Sequence, residues 1–179
     1  PIQLCLMTAQ IANGGYKIKP KILTDDNQLT SEQVKKAMED SKSNDFYEPL
    51  YDDQKNIRII QEAMFSSTNE IMGTSYKSRI DDPKYQFAGK TGTAQVKRIS
   101  KRERELDLKT FQIPYEERDH ALYVAYGPYR NPRYAVSIIV EHGGSGSTAA
   151  APMATELFKL IVDRHQYRKK LPDFKEFSI

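Results

Sequence analysis

Three stretches of the chain carry apolar residues three or four positions apart, the spacing of an amphipathic helix. The first lies at residues 1–15, which begin with Pro1 and end at the pair Gly14-Gly15, typical of a glycine C-cap. The second follows the acidic pair Asp52-Asp53, and the third has Pro152 near its first turn. The predicted core-facing residues are Leu4, Met7, Thr8 and Ile11 in the first helix, Ile57, Ile60 and Met64 in the second, and Met153, Leu157, Leu160 and Ile161 in the third.

Four other segments have the pattern of strands. Residues 16–23 alternate around Pro20, which predicts a short edge strand because proline removes a ladder donor. Residues 87–97 also alternate. Residues 119–127 and 133–141 are apolar on both faces, which predicts interior strands covered on two sides. The connection between them is too short for a crossover helix, so they are predicted to form an antiparallel hairpin.

This order of elements predicts an α+β fold, an antiparallel sheet covered by helices, rather than a doubly wound parallel sheet. The polar residues 24–52 are expected to form a surface insertion with a candidate helix at 31–40. Residues 97–118 are expected to be a long polar loop, and residues 168–179 a tail. The glycines that follow His142 are expected to form a flexible stretch before the last helix.

Composition excludes several classes of function. The chain has 179 residues and a formal net charge of +3, which is too small to indicate nucleic acid or a membrane surface as a partner. The lone Cys5 excludes an intrachain disulfide and a cysteine-based zinc site, and its apolar neighbours predict an inert, buried thiol. His120, His142 and His165 have no metal-ligand spacing, so neither a metal nor a cofactor is predicted.

The sequence "FAGKTGTAQVK" at residues 87–97 concentrates an ammonium group, two hydroxyls and a glycine within a predicted strand. A phosphate-binding P-loop would need a glycine where Lys84 stands, and a helix after the motif, where this sequence alternates instead. The alternative is the K-T-G signature of penicillin-recognising acyl transferases. In that reading an edge strand pairs with an extended peptide, the lysine supplies positive potential, the hydroxyls bind a carboxylate, and the glycine permits close approach.

The sequence around this motif makes the second interpretation specific. The segments "FAGKTGTAQV", "RDHALYVAYGPYRNPRYAVSIIVEHGGSGSTAAAPMA" and "PIQLCLMTAQIANGG" resemble the C-terminal half of the transpeptidase domain of class B penicillin-binding proteins, most closely the elongation-specific subgroup. The resemblance implies that residues 1–179 are the C-terminal portion of one such domain, truncated at its N-terminus. It also implies a sheet sandwiched by helices, with the "KTGT" strand lining the active cleft.

The resemblance assigns roles where the letters match. Lys90 would lie beside the base that activates the nucleophile. Thr91 and above all Thr93 would bind the carboxylate of a stem peptide or a β-lactam through their hydroxyls, and the Thr93 N–H would form half of the oxyanion hole. Gly92 would admit the substrate backbone, and Gln95 would continue the strand that pairs with the substrate.

The nucleophilic serine of the family's S-x-x-K motif has no counterpart in this chain, because no serine is followed by lysine three residues later. Ser67-Thr68-Asn69 fits S-x-N in letters, and residues 74–77 read T-x-x-K. Both are interpreted as coincidences because they lie outside the order that the family requires. The chain alone is therefore expected to be inactive, with apolar surface uncovered on its cleft side.

By resemblance, the complete protein would be a peptidoglycan D,D-transpeptidase that acts on stem peptides ending in D-Ala-D-Ala and binds β-lactam antibiotics. It would work beside a membrane glycosyltransferase of the rod, or elongation, complex, anchored at the periplasmic face of the bacterial inner membrane by a segment absent here. Two alternatives remain open. One is a hydrolase of the same fold, such as a D,D-carboxypeptidase or a β-lactamase, and the other is a non-enzymatic module that uses the strand as a docking edge.

Overall fold

The computed structural model describes residues 1–18, 20, 49–50, 53–98, 105 and 108–164. Its helices are α1 (Ile2–Ala12), α2 (Gln54–Asn69) and α3 (Ala151–Arg164). Its strands are β1 (Ala88–Ala94), β2 (His120–Gly127) and β3 (Tyr134–Val140), and they form one antiparallel sheet in the order β1-β2-β3. The predicted α+β class and the predicted hairpin of β2 and β3 are therefore confirmed.

The ends of α1 and α2 follow from their capping residues. At the end of α1 the Gly15 N–H donates to Gln10 O and the Gly14 N–H donates to Ile11 O, the two bonds of a Schellman motif. Gly14 has a φ of 92°, as the position after the C-cap requires. At the start of α2 the Asp53 carboxylate accepts a hydrogen bond from the Lys55 N–H. Both caps lie where the sequence predicts them.

Helices cover both faces of the sheet. On one face α3 packs against Tyr123 and the alanines of β2, and the Phe158 ring stacks on Phe87 with 4.8 Å between centroids. On the other face Met64 of α2 and residues from the end of α1 pack against Tyr126. Most of the fully buried aromatic side chains lie on the α3 face, so the main core is there.

The buried faces of α2 and α3 differ from the prediction. In α3 the buried residues are Ala151, Ala154, Phe158 and Val162, whereas Met153 and Leu160 are each 52% exposed. The helix lies close to the sheet, and small alanines permit this approach where larger apolar residues would not fit. In α2, Ile57 and Met64 are buried as predicted, but Ile60 is 41% exposed.

The predicted coverage of the strands is also partly wrong. Within the described residues β3 has a strand neighbour on one side only, and Ile139 is 38% exposed. In β2, Ala121, Tyr123 and Ala125 are fully buried on the α3 face, whereas on the other face Leu122 and Val124 are half-buried and Tyr126 is buried. On the α3 face the sheet is therefore covered along β2, whereas Thr93 of β1 is exposed there, and the opposite face is partly covered.

Some predicted elements fall largely outside the described residues. Of the predicted strand at 16–23, Tyr16 forms an isolated antiparallel bridge with Pro49, and residues 17, 18 and 20 are not in a strand. The insertion at 24–52 is described only at residues 49–50, and the tail at 168–179 lies outside the described residues. The described part of the 97–118 loop contains two short 3-10 turns, Thr110–Gln112 and Tyr115–Glu117.

The packing of α3 gives a direct test of its buried face. Replacing Phe158 with alanine removes a fully buried ring, so we expect the free energy of unfolding to fall by about 3–5 kcal/mol. The matched control, Leu160→Ala on the same helix, removes a half-exposed side chain and should cost about 1 kcal/mol or less. Urea denaturation followed by circular dichroism measures both. Equal losses for the two variants would contradict the assigned face.

Candidate functional site

The strand β1 pairs with β2 along one edge, and within the described part of the chain its other edge is met by side chains instead of a strand. The Gly89 N–H donates to the Thr68 hydroxyl over 3.0 Å, and the Asn69 amide donates to Phe87 O over 2.9 Å. Both side chains belong to the last turn of α2. These two bonds engage one outward backbone group of Gly89 and one of Phe87 at the start of β1, and we call this part the clamped edge.

The second half of the same edge has no such cover. In an antiparallel ladder, successive residues turn their backbone groups alternately toward and away from the neighbouring strand. Since the Gly89 N–H faces away from β2, the backbone groups of Thr91 and Thr93 also face away from it. Within the described residues the Thr93 N–H and hydroxyl have no hydrogen-bond partner, and the side chain is exposed. We call the segment Thr91–Thr93 the open edge.

Lys90 brings a positive charge to the open edge. Its ammonium group is exposed and donates to the Thr91 carbonyl oxygen over 2.9 Å, with the Thr91 hydroxyl 3.3 Å away. No carboxylate of the described residues forms an ion pair with it. The ammonium charge is therefore available to an incoming anion.

The Thr91 hydroxyl is the first of three hydroxyl groups that lie in series, each within hydrogen-bond distance of the next. It lies 3.3 Å from Thr74 Oγ1, which in turn lies 3.2 Å from Ser67 Oγ. We call Ser67, Thr74 and Thr91 the hydroxyl chain. Ser67 is in the last turn of α2, and Thr74 is in the turn that follows, so both segments meet β1 at the junction of its clamped and open parts.

The open edge is shaped by a glycine outside the strand. Gly146, in the π-helical turn Gly146–Ala150, lies directly against the backbone of the Gly92–Leu122 pair. A Cβ on Gly146 would collide with Leu122 O and come within 2.8 Å of Gly92 O. On Gly92 itself a Cβ would meet the Leu122 side chain at 3.3 Å. Of the glycines after β3, Gly143 and Gly146 thus lie packed against the sheet, and Gly144 lies against Thr110.

A cluster of three buried hydroxyl groups, those of Tyr123, Thr68 and Ser75, lies next to the clamped edge. The Tyr123 hydroxyl lies 2.9 Å from Thr68 Oγ1 and 3.1 Å from Ser75 Oγ, and all three residues are almost fully buried. Burial raises the pKa of Tyr123 above its ordinary value, although its hydrogen bonds with Ser75 and Thr68 act in the opposite direction. The phenol occupies the space beside Gly89, where any Cβ would collide with it. Gly89 is thus required for the aromatic ring to reach α2.

The loop after β3 is held at the far end of β1 and β2 by two histidines. The His142 N–H donates to Nδ1 of His120 over 2.9 Å, so this nitrogen of His120 carries no proton. His142 has a φ of 55°, and its Nδ1 lies 3.1 Å from Arg118 O. Within the described residues, no group of three or more His, Cys, Asp or Glu side chains is placed to hold a metal ion. The histidines thus fix the loop that carries Gly146.

The structure places the predicted site residues Lys90, Thr91, Gly92 and Thr93 together in β1. The strand ends at Ala94, one residue before Gln95. Sequence reasoning missed the contribution of α2 and the turn after it, because it treated Ser67-Thr68-Asn69 and residues 74–77 only as failed catalytic motifs. The available signal was the run of short polar side chains at the end of an otherwise amphipathic helix.

Comparison with known sequences gives the chain a family. The family model for the penicillin binding protein transpeptidase domain matches residues 1–161. Peptidoglycan D,D-transpeptidase MrdA of Haemophilus influenzae is 29% identical over 164 residues, which are 88% of this chain and 24% of that protein. MrdA of Acinetobacter baumannii is 35% identical over 158 residues, 86% of this chain and 21% of that protein. The chain thus spans about a quarter of the length of these curated relatives.

Solved structures give the same result. Penicillin-binding protein PBP2 of Pseudomonas aeruginosa, in complex with WCK 5153, is 30% identical with a TM-score of 0.61 and matches 92% of this chain and 31% of its own. PBP2 of Helicobacter pylori, in complex with MreC, is 27% identical with a TM-score of 0.61 and matches 87% of this chain and 23% of its own. Both likenesses support the elongation-specific PBP2 subgroup.

In the described part of the chain, no helix has the length and apolar character needed to cross a membrane. The matched family model extends over α1, α2, the sheet and most of α3, and so includes the clamped and open edges of β1. This chain belongs to the penicillin-binding protein transpeptidase family.

Proposed function

We propose that the open edge of β1 is the substrate-binding strand of a peptidoglycan D,D-transpeptidase. The observation that carries the proposal is that, among the described residues, the outward-facing Thr93 N–H has no hydrogen-bond partner and shares its strand with the exposed ammonium of Lys90. An extended peptide that pairs with this edge gains backbone hydrogen bonds, and its terminal carboxylate meets a positive charge and hydroxyls. The relatives' description as peptidoglycan D,D-transpeptidases supports peptide transfer over hydrolysis or simple docking.

The residues of this chain would bind and stabilise, while a serine outside these 179 residues would attack. The serine oxygen forms an ester with the carbonyl carbon of the penultimate D-alanine, and the amide bond to the terminal D-alanine breaks as its nitrogen takes a proton. The amine of a neighbouring stem peptide then attacks the ester carbonyl carbon, a new amide bond forms, and the serine oxygen leaves with the proton that the amine loses. A β-lactam would enter by the first of these steps and remain as an ester.

Each predicted site residue has a role in that sequence. The Thr93 N–H donates to the oxyanion that forms on the attacked carbonyl, together with the N–H of the serine itself. The hydroxyls of Thr93 and Thr91 bind the carboxylate of the terminal D-alanine, and Lys90 holds the local potential positive. Gly92 leaves room for the substrate backbone, and Gln95 extends the pairing beyond the end of β1. No cofactor takes part.

The whole protein is proposed to act in the bacterial cell wall, at the periplasmic face of the inner membrane and beside a membrane glycosyltransferase of the elongation complex. The support is the similarity to MrdA proteins and to a PBP2 that was solved in complex with MreC. Its proposed ligands are stem peptides ending in D-Ala-D-Ala and β-lactam antibiotics. The Pseudomonas aeruginosa relative was solved in complex with WCK 5153, which supports a ligand-binding site in this family.

Acylation by a fluorescent penicillin tests the division of labour between this chain and the nucleophile. The isolated chain should remain unlabelled, because no serine in it has the lysine three residues later that the acylation reaction requires. The full-length protein that contains the chain should be labelled covalently, and excess unlabelled penicillin should block the label. Covalent labelling of the isolated chain at Ser67 or Ser75 would overturn this account.

The contribution of the Thr93 hydroxyl is tested by Thr93→Val in the full-length protein. The variant keeps the side-chain shape and the backbone N–H but loses a hydrogen bond to a carboxylate, which is worth about 1.5–3 kcal/mol. The second-order rate constant of acylation should therefore fall about 10- to 100-fold. The matched control is Thr110→Val, which changes an exposed hydroxyl outside the strand and should acylate at the wild-type rate. A wild-type rate for Thr93→Val would exclude the hydroxyl from carboxylate binding.

A further inference from the structure

Two members of the hydroxyl chain at the junction of the clamped and open edges, Ser67 and Thr74, have no role in the mechanism so far. Its members come from three separate segments, with Ser67 in α2, Thr74 in the turn after it and Thr91 in β1. The separations are 3.2 Å from Ser67 Oγ to Thr74 Oγ1 and 3.3 Å from Thr74 Oγ1 to Thr91 Oγ1. Both distances allow a hydrogen bond. Which oxygen donates in each bond determines whether the Thr91 hydroxyl can donate its proton to a ligand.

The Lys90 ammonium constrains that direction. An ammonium group has three donors and no acceptor, so at 3.3 Å it can only donate to the Thr91 oxygen. A threonine hydroxyl accepts through two lone pairs and donates one proton. If Thr74 donates to the second lone pair, the Thr91 proton is left free to point toward the open edge.

The same count of donors and acceptors applies to the Thr74 hydroxyl. Thr74 can donate to Thr91 while accepting from Ser67, so that the three hydroxyls run in one direction from α2 to β1. Hydrogen bonds in such a series polarise one another and strengthen the last donor. A carboxylate accepts hydrogen bonds and donates none, so a bound carboxylate favours this direction over the reverse.

We propose that Thr74 is a positioning residue that, with Ser67 behind it, directs the Thr91 hydroxyl proton toward the substrate carboxylate at the open edge. This inference rests on the proposed function and assigns a role to two residues that do not touch the substrate. The inference also explains how the Gly73–Ser75 turn contributes to the site. A Cβ on Gly73 would collide with the carbonyl oxygens at the end of α2, and the Ser75 N–H donates to Ser67 O over 3.0 Å. The turn thus holds Thr74 against the helix end.

The test compares two ligands in the full-length protein. Thr74→Val removes the hydroxyl and keeps the shape, and we expect acylation by benzylpenicillin, which carries a carboxylate, to slow about three- to tenfold, the size of one neutral hydrogen bond. Acylation by benzylpenicillin methyl ester, which lacks the charge, should keep its wild-type rate, however slow. Thr74→Ser restores a hydroxyl and should recover most of the loss.

A double-mutant cycle separates positioning from a structural effect. In a Thr91→Val background, Thr74→Val should cost nothing further, because the hydroxyl it directs is gone. Ser67→Ala should act in the same direction as Thr74→Val with a smaller effect. The matched control is Thr110→Val, which removes an exposed hydroxyl outside β1 and outside the Gly146–Ala150 turn, and it should leave both rates unchanged.

The outcomes distinguish this inference from the proposed function. If wild-type protein is acylated but Thr74→Val slows both ligands equally, or neither, the positioning role is wrong while the proposed function stands. If Thr74→Val and Thr91→Val have additive effects, the hydroxyl chain is likewise excluded. If wild-type full-length protein is not acylated at all, the proposed function itself fails.

Discussion

Everything at this site depends on how the outer edge of β1 satisfies its backbone. An edge strand presents a row of N–H and C=O groups that must find partners, either in the protein, in water or in another chain. In β1 the row of outward backbone groups has two parts. At its start, Thr68 and Asn69 occupy the outward groups of Gly89 and Phe87 with side-chain hydrogen bonds. Beyond Thr91 the groups face outward without protein partners in the described residues.

The clamp has a steric requirement as well as a polar one. Thr68 reaches Gly89 because the last turn of α2 lies against the edge, and the Tyr123 hydroxyl supports Thr68 from below the sheet. The phenol fits because residue 89 has no side chain, and the loop after β3 approaches the Gly92–Leu122 pair because residue 146 has none. Gly89 and Gly146, which lie outside the segment Lys90–Thr93, thus allow the phenol and the loop after β3 to approach β1.

The sequence predicted the strand, the hairpin and the helix ends, because these depend on local periodicity and capping. The alternation of residues 87–97 and the Asp53 cap are examples. It did not predict the buried face of α3, because hydrophobicity ranks Met153 and Leu160 above Ala151 and Ala154, although only the small residues permit close approach. It also missed the contact of His120 with His142, which the register of β2 and β3 creates between residues distant in sequence. The positions of Lys90 to Thr93 were predicted, while their chemical roles stay predictions.

The central claim is that the open edge of β1 receives the acyl group and its carboxylate. A crystal structure of the full-length protein acylated by a penicillin tests it most directly. The ester carbonyl oxygen should lie within about 2.7–3.1 Å of the Thr93 nitrogen, and the penicillin carboxylate within hydrogen-bond distance of the hydroxyls of Thr91 or Thr93. An acyl group whose oxygen and carboxylate contact other residues, with the Thr93 N–H still unpaired, would contradict it.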